Sequence, residues 1–305
     1  MTTATLTRAS SSPWRLRWRR FYRNKAALSG LIVLGLLIVF SLLAAPLESF
    51  LEIDANNADL LSRFDPPSAQ HWLGNDELGR DVLVRLMYGG QVSLAVGFAA
   101  TLLGAMFGVT VGLLAGYFGG RTDAVLMRLT DGVIALPLLP LLIILAAIDL
   151  TKLGFSTDFA RSGAASFYRI VLIIALVDWT RIARIVRAST LSVREREFIL
   201  AARVSGAGTT RILVRNVLPN VIAPIIVACS QVLGSVILFE AVLSFLGFGI
   251  VPPTPSWGNM LNNAQELVTT APALAIYPGL LIFITVVAVN FVGDGLQDAF
   301  DPRAN

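Results

Sequence analysis

The chain has 305 residues, 55% of them hydrophobic and 14% charged, with a mean hydropathy of +0.71. Soluble domains carry about 25% charged residues and disordered chains are poorer still in apolar ones, so both classes are excluded and the bilayer is the solvent that fits. The net charge of +4 raises nucleic acid as a partner, and the single Cys229 excludes an intrachain disulfide and any multi-thiolate zinc site.

A helix that crosses the hydrocarbon core needs about 20 mostly apolar residues. Residues 1–27 are a basic tail with seven Lys/Arg and no acid, followed by a first transmembrane helix over 28–47, Leu28 to Leu47. The tail's composition also describes a transit peptide or the start of a secretory signal. The apolar stretch is too long and the basic region too extended for a signal, and a retained tail with its first helix is the reading taken. Residues 48–91 form an acidic extracytoplasmic segment. There Asp65-Pro66-Pro67 marks a turn, and Asn75 or Asp76 caps a helix. Leu78, Val82, Leu86 and Met87 recur at helical spacing, which predicts an amphipathic helix lying on the outer surface.

Residues 92–298 read as a five-helix core, with spans over Val92 to Tyr117, Leu126 to Ile148, Ile170 to Val186, Val221 to Phe239 and Ala273 to Val292. The fourth of the six spans is the weakest, because Asp178, Arg181 and Arg184 interrupt it. Gly104, Gly108 and Gly112, spaced four apart, permit close helix packing, within the chain or against another one. Residues 299–305 close the chain as a short tail.

Cytoplasmic flanks are enriched in Lys and Arg. With six spans and both termini inside, eighteen of the 24 basic residues fall on the inner side. If Ile170 to Val186 did not cross, the Arg-rich stretch after it would face outward. All five tyrosines (Tyr22, Tyr88, Tyr117, Tyr168, Tyr277) stand at or just beyond a span end, where a half-buried ring keeps its hydroxyl wet. The basic residues are therefore orientation signals, and membrane lipid rather than nucleic acid is the partner of this surface.

Catalytic machinery is missing from the sequence. His71, Asp76, Glu77 and Asp81 lie close together, but one His without a second His or Cys is a poor zinc site, and the acids suit capping and a wet helix face. No Gly-x-Ser-x-Gly elbow and no His-Glu-x-x-His occurs. A phosphate-binding loop needs Gly-Lys followed by Ser or Thr, while Lys25 follows Asn24 and Lys152 follows Thr151, so this chain binds no ATP or Mg through such a loop. Three acids fall within or at the edges of spans, where a lone charge costs about 3 kcal/mol or more: Asp131, Asp178 and Glu240. Asp131 is expected to pair with Arg128, Asp178 with Arg181, and Glu240 to reach water at the outer end of its helix. Together the three are the candidates for lining a translocation path.

The informative loop is 192–218. Its residues from Arg194 to Gly206 read as a helix ended by the glycine, with Ala201 and Ala202 forming a small-residue patch that lets another protein approach. A second short helix from Thr209 is expected to stop at Leu218-Pro219.

At this point the sequence resembles the permeases of binding-protein-dependent ATP-binding-cassette importers. Their signature is Glu-Ala-Ala, three residues, Gly, nine residues, Ile, one residue, Leu-Pro. Ala201, Ala202, Gly206, Leu218 and Pro219 match it, Leu200 and Asn216 depart from it, and Glu197 stands where the dipeptide/oligopeptide/nickel branch typically carries its acid. Asn24-Lys25, the stretch from His71 to Asp81, Pro252 to Gly258, and Gly293 to Arg303 are similar to that branch's C-type permease. The resemblance implies an all-α, six-helix type I importer fold in a bacterial or archaeal plasma membrane. It implies a B-type permease beside it, two cytoplasmic ATPases carrying ATP and Mg below, and an extracytoplasmic binding protein above. It also implies an ATPase-coupling role for Glu197, Ala201, Ala202, Gly206, Leu218 and Pro219. Peptides lead as substrate, with nickel chelates, glutathione-like peptides and small oligosaccharides open. The competing class is an ion- or proton-coupled carrier or channel working through Asp131, Asp178 and Glu240 without ATPase partners.

Overall fold

The computed structural model describes residues 13 to 300; the first twelve residues and residues 301–305 of the two tails lie outside the described residues. In chain order the helices are α1 (Pro13–Arg23), α2 (Lys25–Leu42), α3 (Ala44–Leu51), α4 (Val82–Phe118), α5 (Gly120–Ile134), α6 (Leu138–Ala146), α7 (Thr157–Ala160), α8 (Gly163–Arg194), α9 (Glu197–Val204), α10 (Thr209–Ile212), α11 (Leu218–Phe245), α12 (Ala264–Thr270) and α13 (Ala273–Phe300). Four helices are long and apolar enough to cross a membrane: α2, α4, the continuous Thr209–Phe245 rod containing α11, and α13. A fifth span comes from α5 and α6 taken together, bent by 84°.

Four expectations about these elements need correction. The first helix does not run unbroken to Leu47: it is interrupted at Leu43, and α3 resumes at Ala44. The surface amphipathic helix does not exist. Gly79 turns the chain at φ +76°, Asp81 caps Val84 with its carboxylate (2.7 Å), and Val82, Leu86 and Met87 are the buried first turns of α4, which then runs 37 residues without interruption. The periodicity was that of the second span's own outer end. The third span is broken at Ala135 to Pro137, since Pro137 has no N–H to continue the ladder and its ring excludes helix at the residue before it. Pro219, finally, stops nothing. It occupies the first turn of α11, where a missing N–H costs little, and a π-turn over Leu213–Val217 joins α10 to α11.

α8, where the fourth span is expected, is a helix of 32 residues, about 48 Å long, which its charges keep out of the helices apolar enough to count as spans. It is held by a row of glycines on α4. A Cβ at Gly108 would lie 2.6 Å from Trp179 O, one at Gly112 2.6 Å from Ala183 O, and one at Gly116 2.6 Å from Thr190 Cβ. The two backbones meet directly, so the glycine spacing serves packing within the subunit. A second close seam joins α2 to α13. A Cβ at Gly30 would lie 2.6 Å from Ala288 O, one at Gly295 would run into Ala27, and Asn24, the cap of α2, donates to Asp298 Oδ2 (3.1 Å). The Asn24-Lys25 and Gly293-to-Asp298 stretches are two halves of one contact.

Gly112→Leu is expected to force α4 and α8 apart at a cost of about 1–3 kcal/mol, with a lower melting temperature in detergent. Gly35→Ala, where a Cβ meets nothing within 4 Å, is expected to leave that temperature unchanged. Equal melting of the two variants would contradict the seam.

Candidate functional site

Three places hold the residues singled out by sequence. The first is α9 and its turns. Glu197 begins the helix and sets a carboxylate against its positive N-terminal end, where no side chain caps the N–H groups. The C-terminus is a Schellman turn: Gly206 N donates to Arg203 O (3.0 Å), Ala207 N to Ala202 O (3.1 Å), and Gly206 adopts φ +76°. The inner face of the helix carries Ile199, fully buried in a cluster with Tyr117, Ile212, Val217 and Val221, against which Ala202, Ala207 and Leu218 pack. The guanidinium of Arg203 lies 4.8 Å from the Tyr117 ring centroid and its Nε donates to the Tyr117 hydroxyl (3.3 Å). Arg194 Nη1 donates to Gly116 O (3.1 Å), tying the end of α8 to α4.

The outer face is different. Val204 is 89% exposed, Leu200 49% and Phe198 43%, with Ala201 beside them. The two alanines thus divide: Ala202 packs inward and Ala201 faces out. Gly206 meets nothing within 4 Å, and Pro219 is exposed. The result is a short helix anchored on one side by an arginine–tyrosine clamp and exposing an apolar face on the other.

The second place is a cleft of about 470 Å³ at the α5–α6 break. Val133, Ile134, Leu136 and Leu138 of the broken span form one wall, with Asp178, Arg181 and Arg184 of α8 and Phe239 of α11 opposite. Asp131 does not pair with Arg128; its Oδ1 accepts from Arg184 Nη2 on α8 at 2.5 Å. One turn nearer the α9 end, Arg187 makes a two-pronged contact with Asp123. Asp178 is not closed off by Arg181, because its Oδ2 is buried without a hydrogen-bond partner. Asp131 and Asp178 are therefore brought to one cleft, the former through its arginine.

Glu240 lies elsewhere and touches no water, contrary to expectation. It is fully buried, accepting from Ser93 Oγ at Oε2 (2.9 Å) and Ser244 Oγ at Oε1 (2.8 Å). The same serines receive the backbone of the following loop. Trp257 N donates to Ser93 Oγ (3.1 Å), Ile250 N to Ser244 Oγ (3.1 Å), and Trp257 Nε1 to Leu86 O (2.8 Å). Glu240 is the hub that fastens the Pro252-to-Gly258 segment over α4 and α11. Sequence reasoning missed Ser93 and Trp257; the i,i+4 spacing of Glu240 and Ser244 was the available signal. The polar cluster around His71 is likewise used up in folding: Asp81 Oδ2 stands 3.0 Å from His71 Nδ1, and Asp76 Oδ2 faces Arg80 (2.7 Å) and Arg85 (3.5 Å). Among the described residues no three His, Cys, Asp or Glu side chains are grouped to hold a metal.

Comparison with known proteins places this geometry. Residues 108–305 match the profile described as binding-protein-dependent transport system inner membrane component, and residues 12–67 match the N-terminal transmembrane domain of oligopeptide transport permease C. The chain is 42% identical over 293 residues to the glutathione transport system permease protein GsiD of Pectobacterium atrosepticum, covering 96% of this chain and 92% of that one. It is 38% identical over 292 residues to the dipeptide transport system permease protein DppC of Alkalihalophilus pseudofirmus, covering 96% and 90%. It is 36% identical over 298 residues to the oligopeptide transport system permease protein OppC of Bacillus subtilis, covering 98% and 92%. In fold it is similar to a chain of the inward-facing MetNI methionine ABC transporter, with a TM-score of 0.55 at 18% identity, covering 72% of this chain and 97% of that one.

Ser93→Ala is expected to leave Trp257 N buried without a partner and to take one of the hydroxyls from Glu240, costing about 1–3 kcal/mol. Melting in detergent should fall by several degrees and the Pro252-to-Gly258 loop should become protease-sensitive. Ser29→Ala, on an exposed serine, is the control. An unchanged melt for Ser93→Ala would show that the hub does not hold the loop.

Proposed function

The chain belongs to the family of binding-protein-dependent transport system inner membrane components, as a permease of the peptide-importing ATP-binding-cassette class, and from that premise we propose how its parts are used. In this reading α8 is the fourth of six spans, and both termini and α9 face the cytoplasm. The support is the distribution of arginines, eighteen of 24 Lys/Arg lying on that side. The α9 helix is the coupling helix, seated in a groove of a separate ATPase subunit that binds ATP and Mg. The observation that carries this is the outward apolar face of Phe198, Leu200, Ala201 and Val204 on a helix otherwise clamped to the bundle. Covering such a face offers about 1.5–3 kcal/mol for each large side chain fully buried. Glu197 orients the helix start, Gly206 permits the tight turn, and Ala202, Leu218 and Pro219 hold the loop against its own bundle.

The remaining partners follow from the same premise. One subunit supplies one side of a path, so a second, B-type permease is required to close it. An extracytoplasmic binding protein delivers substrate, and a second ATPase docks on that other permease. Peptides are the proposed cargo, because dipeptide, oligopeptide and glutathione appear in the relatives' names. The plasma membrane of a prokaryotic cell is the proposed site of action.

Topology is tested with single cysteines at Ser62 and Thr209 in a Cys229→Ser background, treated with an impermeant thiol reagent in intact cells. Position 62 is expected to label and 209 not; the reverse pattern would overturn the orientation. Coupling is tested with Val204→Asp and Ala201→Arg, both on the outward face, so the subunit is expected to insert and fold normally. Uptake should fall at least tenfold and the ATPase should no longer copurify. Full uptake with both variants would remove the coupling assignment.

A further inference from the structure

Asp178 occupies the middle of α8, about 23 Å from each end of the helix, the depth at which a bare charge costs most. Its Oδ2 is buried and without a partner, while the neighbouring acids Asp131 and Asp123 have each taken an arginine. The wall opposite is the α5–α6 break. Broken helices are tolerated in a membrane where they line a cavity, and this one turns two helix ends toward the same cleft. The C-terminal end of α5, at Ile134, carries partial negative charge. The N-terminal end of α6, at Leu138, carries partial positive charge and has no side-chain cap. α8 runs antiparallel to this wall, as the Arg184–Asp131 and Arg187–Asp123 pairs show, so Arg181 stands level with the end of α5 and Asp178 with the start of α6, each helix end steadying the charge beside it.

The geometry points to a zwitterion subsite in this cleft, where Asp178 receives the α-ammonium of a peptide and Arg181 receives its carboxylate. The spacing suits a short peptide. Three residues of helix rise about 4.5 Å, to which flexible side chains add reach, and two extended residues span about 7 Å. The cleft of about 470 Å³ lies within the roughly 300–1,000 Å³ of small-ligand sites. The rest of its lining is mostly apolar, Leu136 and Phe239 included, with the small hydroxyls of Thr180 and Ser235 and the Asp131-paired Arg184. A site that reads only the two charged ends passes many sequences, which suits a path whose selectivity resides in another protein.

This inference rests on the importer reading, and the test separates the two. The complete importer, with its partner permease, ATPases and binding protein, is reconstituted in liposomes and supplied with radiolabelled dialanine. ATP hydrolysis stimulated by loaded binding protein is measured alongside uptake. Asp178→Asn is expected to assemble with its partners, keep stimulated hydrolysis within about twofold, and move at least tenfold less peptide per ATP. Asp178→Glu should restore most of the transport, and Arg181→Gln should lose it as Asp178→Asn does. Because the Asn variant removes an unpaired buried charge, its melting temperature should hold or rise, which a structural role for the carboxylate would not produce. Unchanged peptide per ATP in Asp178→Asn overturns the subsite alone. Failure of that variant to copurify with the second permease assigns Asp178 to the seam between subunits and also overturns it. Absence of ATP-driven dialanine uptake by the unaltered complex sinks the peptide-importer reading, and the subsite with it.

Discussion

The contact on which this subunit depends is the direct meeting of two backbones, α4 and α8, at Gly108, Gly112 and Gly116. In lipid there is no hydrophobic gain from bringing two helices together, since the hydrocarbon is as apolar as leucine; close packing and buried polar contacts must supply the attraction. α8 needs this more than any other helix. It carries Asp178, Arg181, Arg184 and Arg187, and would be costly to leave against lipid. The glycine row brings it near enough to α4 for dispersion contacts to accumulate along several turns, which leaves its charged positions to face the α5–α6 break. Everything functional on α8 inherits its placement from a surface that carries no side chains.

How much of this was legible follows from the same physics. Long apolar runs are unambiguous, so α4, α11 and α13 were readable as spans. The fourth span is expected only from charge asymmetry, because the apolar face of α8 is interrupted by residues whose partners sit on another helix. Asp131 was expected to use Arg128, its own neighbour one turn earlier, and instead uses Arg184, 53 residues away in sequence. Local spacing cannot rank a partner that tertiary packing delivers. The same limit explains Leu78, Val82, Leu86 and Met87: a 3.6-residue period identifies a helix but does not say whether it lies on a surface or continues into the next span.

Polar residues in apolar surroundings misled in a consistent direction. Glu240 had the marks of a functional intramembrane acid, and it is consumed by Ser93 and Ser244 to hold the loop that bears Trp257. The loop 192–218 was read more accurately, because Ala201, Ala202 and Gly206 constrain backbone and volume locally. Gly206 is required by the φ of +76° rather than by any neighbour, since no atom lies within 4 Å of its Cβ position. What the sequence left unresolved was which alanine faces out, a matter of helix phase against the Tyr117 cluster.

The two sites on this subunit are mechanically one. Asp178 and Arg184 lie on the helix that ends at Arg194, and α9 begins only three residues later, at Glu197. Arg194 is tied to Gly116 O and Arg203 to Tyr117, so α9 is joined to the last turn of α4 as well as to α8. A force applied to the outward face of α9 therefore cannot be absorbed by a loose linker. It must move the α9 end of α8 and α4 together, as the glycine seam forbids sliding without overlap of backbone atoms. The compliant element is the one without such a seam: the α5–α6 break at Pro137, whose hydrogen-bond ladder is already interrupted. Displacement of α8 changes the distance from Asp178 and Arg181 to that break, and so the width of the cleft. If α9 couples to an ATPase as proposed, rigid packing on one wall and a broken helix on the other convert a push on α9 into a change in the cleft.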